Sequence, residues 1–280
     1  PLSVVHAGGK VIFVDVMKEN LSIDPNDLKK KISKNTVGVI PVHIGGIISP
    51  LWDEIIQICR DNRLFVIEDA AHAHGSSYKN HVAGSIGIAA AFSFYPTKII
   101  TTCEGGIITT KNKKIKNDAL LLRNFGTASR YNHTKIGNNS RLSEIHSIIG
   151  LNQIKNLKKI LSKRREIALI YDNAIKKMLH IDNYKYSQNQ NSSYYKYIVK
   201  TNKKISYKKI YDLFKKKNII LPGKVYGKPL HKQPVFKKYK NLKLPETENI
   251  CRSHFCLPMY PSLNKNEINR VIETLNELNN

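Results

Sequence analysis

Val66-Ile67-Glu68-Asp69-Ala70-Ala71-His72-Ala73-His74-Gly75 is an apolar run that ends on a carboxylate. Ala91-Phe92-Ser93-Phe94-Tyr95-Pro96-Thr97-Lys98 is a second apolar run that ends on a serine, with a lysine five positions later. Short β-branched and aromatic runs of this kind read as buried strands. Two adjacent strand ends can set Asp69 and Lys98 on opposite sides of one small flat ligand.

Working outward, the flanking chain alternates strand-like and helix-like stretches. Val11 to Val16 is a short apolar run predicted as a buried strand, and Ile23-Asp24-Pro25 predicts a helix start with Asp24 as N-cap. Thr36 to His43 is expected as another buried strand, broken by Gly45-Gly46. Ser49-Pro50 is expected to cap a helix with Leu51, Ile55, Ile56 and Cys59 on one face. Leu64 to Asp69 is the next strand. Strands alternating with amphipathic helices imply βαβ units, an α/β fold with a mainly parallel sheet flanked by helices. Ligands of such sheets sit beyond the carboxyl ends of the strands, where His43, Asp69 and Ser93 fall.

Beyond Lys98, Ile107 to Thr110 predicts a strand and the next stretch a basic helix to about Arg123. Asn124 to Ser140 is polar and punctuated by glycine. Arg141 to about Lys176 reads as one long helix or two in series, and Tyr184 to Ser193 as a surface loop. A strand at Tyr194 to Thr201, a helix at Tyr207 to Lys217 and a final helix from Asn264 complete a smaller C-terminal α/β domain. The expected division is 1–160, the major ligand-binding domain, and 161–280, the long connecting helix with the small domain.

The chain has 280 residues, 41% of them hydrophobic, with a formal net charge of +25. The positive charge is mostly lysine spread over predicted helical faces, Asp27 to Lys34, Lys155 to Lys163 and Lys208 to Lys217, which reads as solvated surface. No motif with base-reading geometry supports a nucleic-acid partner. No run reaches membrane-spanning length. Cys59, Cys103, Cys251 and Cys256 form no CxxC pair, and no metal-ligating spacing is present. They read as reduced thiols of a cytoplasmic protein, with Cys103 a core thiol.

A lysine and an acid facing one flat ligand is what pyridoxal 5'-phosphate chemistry requires, the lysine to bond the cofactor and the acid to hold its pyridine nitrogen. The blocks EDAAHAHG, SFYPTK and CEGG, with Phe13-Val14-Asp15-Val16, Pro41-Val42-His43, Arg123-Asn124-Phe125-Gly126, Gly137 to Leu142 with Glu144, Gly150 to Gln153, Pro229-Leu230-His231 and Leu257 to Pro261, stand in the order of a known family. Over its whole length the chain resembles the DegT/StrS-type pyridoxal-phosphate-dependent sugar aminotransferases, of the aspartate-aminotransferase fold (fold type I).

The resemblance implies that Lys98 bonds the cofactor and then moves protons as a neutral amine. It implies that Asp69 holds the pyridine nitrogen, that His72 lies beside the ring and its hydroxyl, and that Ser93 binds the phosphate. Asn139 would reach the cofactor of the neighbouring subunit, making the site a property of a homodimer. His43 and His231 are expected at the substrate pocket, and His74 as structural. The implied reaction moves an amino group from an amino acid, glutamate, to a nucleotide-linked keto-sugar, as in polysaccharide biosynthesis. Some relatives run dehydration on this fold with a histidine in the lysine's place, and Lys98 argues against that branch.

One departure stands out. The family's earlier segment carries a Gly-Thr or Gly-Ser turn at a helix N-terminus for the phosphate, and an aromatic that stacks on the ring. Nothing before Val11 supplies either, so the chain is expected to lack its N-terminal part and to bind the cofactor weakly alone. The competing expectation is a catalytically incomplete protein of the same fold with a regulatory or scaffold role.

Overall fold

The computed structural model describes residues 1–184 and 189–279. Its central sheet has four strands, β1 (Gly38–Val39), β2 (Phe65–Asp69), β3 (Ala89–Ser93) and β4 (Gly106–Thr109), in that spatial order. β1 and β2 run parallel, as do β2 and β3, which place Asp69 opposite Ala91; β4 returns antiparallel and sets Gly106 against Ser93. This is the expected mixed α/β architecture with a mainly parallel sheet and flanking helices.

The helices start where side-chain chemistry allows. Asp24 accepts from the Asn26 N–H and Pro25 opens the helix Pro25–Lys31. In Trp52–Asp61 the buried face is Trp52, Ile55, Ile58 and Cys59. Leu51, expected on that face, is instead the exposed N-cap, and Ser49 Oγ accepts from its N–H at 3.2 Å. These side chains pack with Leu28, Val39, Val66, Ala70 and Ala90 into one core under the sheet. Arg141 to Lys176 resolves into a single helix, Glu144–Ile175, capped by Ser143.

A second sheet is antiparallel, with β5 (Ile181–Asn183), β6 (Tyr197–Thr201) and β7 (His254–Leu257) in the order β7-β6-β5. The helices Tyr207–Lys216 and Lys265–Asn279 and the C-terminal half of the long helix cover it. Its core includes Tyr171, Val199, Phe214, Phe255 and Leu275, each completely buried.

Expectations for three further segments need correction. Val11 to Val16 is not a strand, and only Val16 makes an isolated bridge, to Ile23. The segment is an extended strap whose Phe13 packs edge-on against Phe236 and Tyr239. Its Asp15 carboxylate accepts from the N–H groups of Glu246 and Thr247, capping the helix Pro245–Ser253. Side chains and a cap hold it where a ladder was expected.

The strand Thr36 to His43 shortens to β1 plus a single parallel bridge from Val42 to Asp69. Pro41 has no N–H to give, and its carbonyl accepts from Asp69 N–H at 2.9 Å. The surface loop expected at Tyr184 to Ser193 lies partly outside the described residues. At its described ends Tyr184, Ser192 and Ser193 are buried, and Gln190–Asn191 pairs antiparallel with Ser77–Tyr78. Serine hydroxyls make that burial tolerable: Ser193 Oγ donates to the His72 carbonyl and Ser192 Oγ to that of Gly46. Among the described residues no helix is long and apolar enough to cross a membrane.

Candidate active site

Asp69 and Ser93 are the last residues of the parallel neighbours β2 and β3, so both point past the same end of the sheet. The Asp69 side chain accepts from Ala71 N–H at 3.2 Å, which fixes its orientation, and Ser93 Oγ accepts from Tyr95 N–H at 3.3 Å. After Ser93 the chain makes a pinned loop. Phe94 N–H donates to Gly105, Thr102 N–H and Thr101 Oγ donate back to the Phe94 carbonyl, and Lys98 N–H closes a turn on Tyr95. Gly105 closes this loop at φ 153°, where a Cβ would stand 2.5 Å from Thr102 Oγ1. Cys103, expected in the core, is exposed on the same turn at φ 67°.

Lys98 is half-buried, and its ammonium lies over the Tyr195 ring, 4.8 Å from the centroid. Burial pushes the amine below the ordinary lysine value. Asp69 opposes that shift and the neighbouring Lys196 adds to it. The site therefore holds two groups that proton transfer can use, an amine held below the ordinary lysine value and a carboxylate facing it.

His72 packs against Tyr195 with centroids 4.3 Å apart and the rings tilted by 31°, and its Nδ1 accepts from the Gly45 N–H at 3.3 Å. Gly45 turns at φ 64° to aim that N–H, and the acceptor role of Nδ1 places the ring proton on Nε2. Burial, then Lys98 and Lys196, push His72 down to about 3, so it stays neutral. His74, packed between Phe92 and Phe94, is pushed to about 4 by burial and by Lys98.

His254, in the second sheet, is pushed to about 4, chiefly by burial. Unfolded, each of these three histidines titrates near 6.5, so between about pH 6.5 and 4 the unfolded chain binds more protons than the folded one. Stability then falls as pH drops through that window. Thermal melts are expected to show a lower Tm at pH 5 than at pH 7.5; a rise on acidification would contradict the buried neutral histidines.

The structure thus brings Asp69, His72 and Lys98 into one cluster at the sheet end, with Ser93 on the adjacent strand. It gives His43 and His231 other partners. His43 is 1% exposed, with Nε2 3.0 Å from the buried Glu68 carboxylate and its ring against Trp52. His231, also 1% exposed, sets Nε2 3.0 Å from Glu248, and that contact holds the carboxyl at about 2. Both imidazoles are paired with carboxylates, Glu68 and Glu248, rather than with Asp69 or Lys98. Asn139 is exposed, joined to Asn124 by one bridge, and takes no part in the cluster of its own chain.

Tyr195, Lys196, Thr97 and Tyr226 were not legible as site residues. Tyr195 is buried and shares a 3.0 Å hydrogen bond between its hydroxyl and Thr97 Oγ1. Lys196 lies 5.4 Å from the same ring centroid, and Tyr226 is raised by burial, then by Asp69 and Tyr195. Thr97 lies in the loop just before Lys98, Tyr195 and Lys196 arrive from the approach to β6, and Tyr226 from the segment after Pro222; the polar stretch Gln188 to Ser193 gives no sequence signal for the tyrosine and lysine that follow it. A cavity of about 1060 Å³ lies elsewhere, against Ile181, Tyr184, Lys200 and Lys224.

Comparison with known proteins gives the family and the fold. GDP-perosamine synthase of Escherichia coli O157:H7 is 30% identical over 98% of this chain and 74% of its own length. The structure of S. venezuelae DesV superposes with a TM-score of 0.92 at 26% identity, covering 99% of this chain and 74% of that one. A sugar aminotransferase from Streptococcus pneumoniae, solved in a PLP form, gives 0.90 at 25% identity over 99% and 76%. Residues 2–276 match a single family description, and on that match the chain belongs to the DegT/DnrJ/EryC1/StrS aminotransferase family.

Proposed function

We propose that this chain is a pyridoxal-phosphate-dependent aminotransferase that moves an amino group from an amino-acid donor, glutamate, to a keto-sugar carried on a nucleotide. The observation that carries the reading is the Lys98 amine, half-buried at the sheet end, biased toward neutrality and faced by Asp69. The donor set suits the cofactor: an amine to bond it, a carboxylate to hold a protonated pyridine nitrogen, and a neutral imidazole and a serine hydroxyl for its ring oxygen and phosphate. When bound, the cofactor supplies an electron sink for the substrate carbon. Lys98 takes and returns the proton at that carbon. Asp69 would face the ring nitrogen, and His72, whose Nδ1 is held by the Gly45 N–H, would donate from Nε2.

The reading includes a homodimer in which Asn139, exposed on its own chain, reaches the partner's cofactor, and the division into 1–160 and 161–280. The separate cores around Ile55 and around Phe255 support that division. Four free thiols support a reducing, cytoplasmic setting. The test is a titration with pyridoxal phosphate followed between about 330 and 420 nm. A band that appears with the wild-type chain and is lost in Lys98→Ala supports the reading. A band that persists without Lys98, or none with either protein, contradicts it.

A further inference from the structure

We propose that Lys196 is the anion-binding residue of the substrate pocket and receives a carboxylate of the amino-acid donor. The proposal deepens the reading of Lys98 as the amine-exchanging lysine and rests on it. Both ammonium groups lie over the ring of Tyr195, at 4.8 and 5.4 Å from its centroid, so the two nitrogens are no more than about 10 Å apart. Lys196 stands where Tyr194 to Tyr197 enters β6, is half-buried, and among the described residues forms no ion pair. A half-buried ammonium without a counter-charge is unfavourable, and an arriving anion relieves it.

The groups facing Lys98 from every side reinforce this. Asp69 comes from β2, His72 and His74 from the loop after it, Tyr195 and Lys196 from the approach to β6. Asp69 is the carboxylate of this set, and it answers to Lys98. The two histidines are neutral, which leaves Lys196 as the uncompensated positive charge of the pocket. An amino acid whose nitrogen exchanges with that of Lys98 brings its carboxylates within a few ångströms of the lysine nitrogen. A lysine anchored on the same ring is placed to meet one of them. The same cation could serve a phosphate, of the cofactor or of the nucleotide, and the experiment separates these.

Lys196→Gln is compared with Lys196→Arg in the assembled enzyme. The glutamine variant is expected to raise the KM for glutamate about 10- to 100-fold, the range of a hydrogen bond to a charged group. Cofactor affinity and the keto-sugar KM are expected to stay unchanged, and arginine to recover most of the loss. Glutarate binding, measured calorimetrically without turnover, should weaken by the same factor in Lys196→Gln. Unchanged glutamate KM and glutarate affinity overturn the proposal. So does a loss confined to pyridoxal phosphate affinity or to the keto-sugar KM, which would assign the lysine to a phosphate. If the wild-type protein transfers no amine at all, the proposed function falls, while the glutarate titration still decides the role of Lys196.

Discussion

Replacing Lys98 with alanine is expected to lower the rate of amino transfer by ~10²–10⁴-fold or more, the range lost when a positioned proton-transfer group is removed. The effect is expected with little change in Tm, because the side chain is half-buried and held by a ring contact rather than by a buried network. Lys98→Arg sharpens the test. Arginine keeps the cation over Tyr195 and satisfies any purely structural role, but it does not lose its proton near neutral pH. If the neutral amine matters, arginine is as inactive as alanine. Substantial activity in Lys98→Arg would contradict the assignment. The rate should also rise with pH through a value below that of an ordinary lysine, since burial and Lys196 favour the neutral amine.

Glu68→Ala is expected to destabilise the fold by ~3 kcal/mol or more, because it leaves several buried donors without their acceptor at ~1–3 kcal/mol each. Glu68 is completely buried one residue before Asp69. Its carboxylate meets His43 and accepts from the N–H groups of Gly84, Ile86 and Gly87 at 2.8–2.9 Å. Burial alone would raise its pKa, yet His43 and the Gly84 and Gly87 amides together hold it below the ordinary carboxylate range. Because the folded value is depressed, this stabilisation is present above the unfolded value near 4.3 and is lost as pH falls through the folded value. Against a total of ~5–15 kcal/mol for a typical domain, such a loss removes much of the margin. Denaturant melts at pH 7 check it. A loss below ~1 kcal/mol would mean that the Glu68 network does not hold β2 to the 84–87 loop.

That network shows where sequence reading reached its limit. Glu68 and Asp69 are adjacent acids at a strand end, and alternation puts them on opposite faces. From the string EDAAHAHG, position at a strand terminus singled out Asp69, and the same criterion drew His43 into the substrate pocket. The distinction between them is tertiary. His43 ends on Glu68 and Trp52, contacts that depend on how Trp52–Asp61 packs against the sheet. The βαβ alternation, the cap at Asp24, and the placing of Asp69 and Lys98 at one sheet end rest on local chemistry and were legible.

Val11 to Val16 misled because a β-branched, apolar composition suits any extended buried segment. Here caps and aromatic contacts, not a neighbouring strand, satisfy it. Tyr195 and Lys196 were invisible for a different reason. They lie 97 and 98 residues from Lys98, just after a polar stretch that carries no spacing signal, and reach the site because Tyr195, two residues before β6, packs against His72.

The most direct test of the central claim is to reduce the protein with borohydride after incubation with pyridoxal phosphate and to map the modified peptide by mass. The account predicts a pyridoxyl adduct on Lys98, absent from Lys98→Ala. An adduct spread over the surface lysines, or placed on Lys196 with Lys98 unmodified, would contradict it.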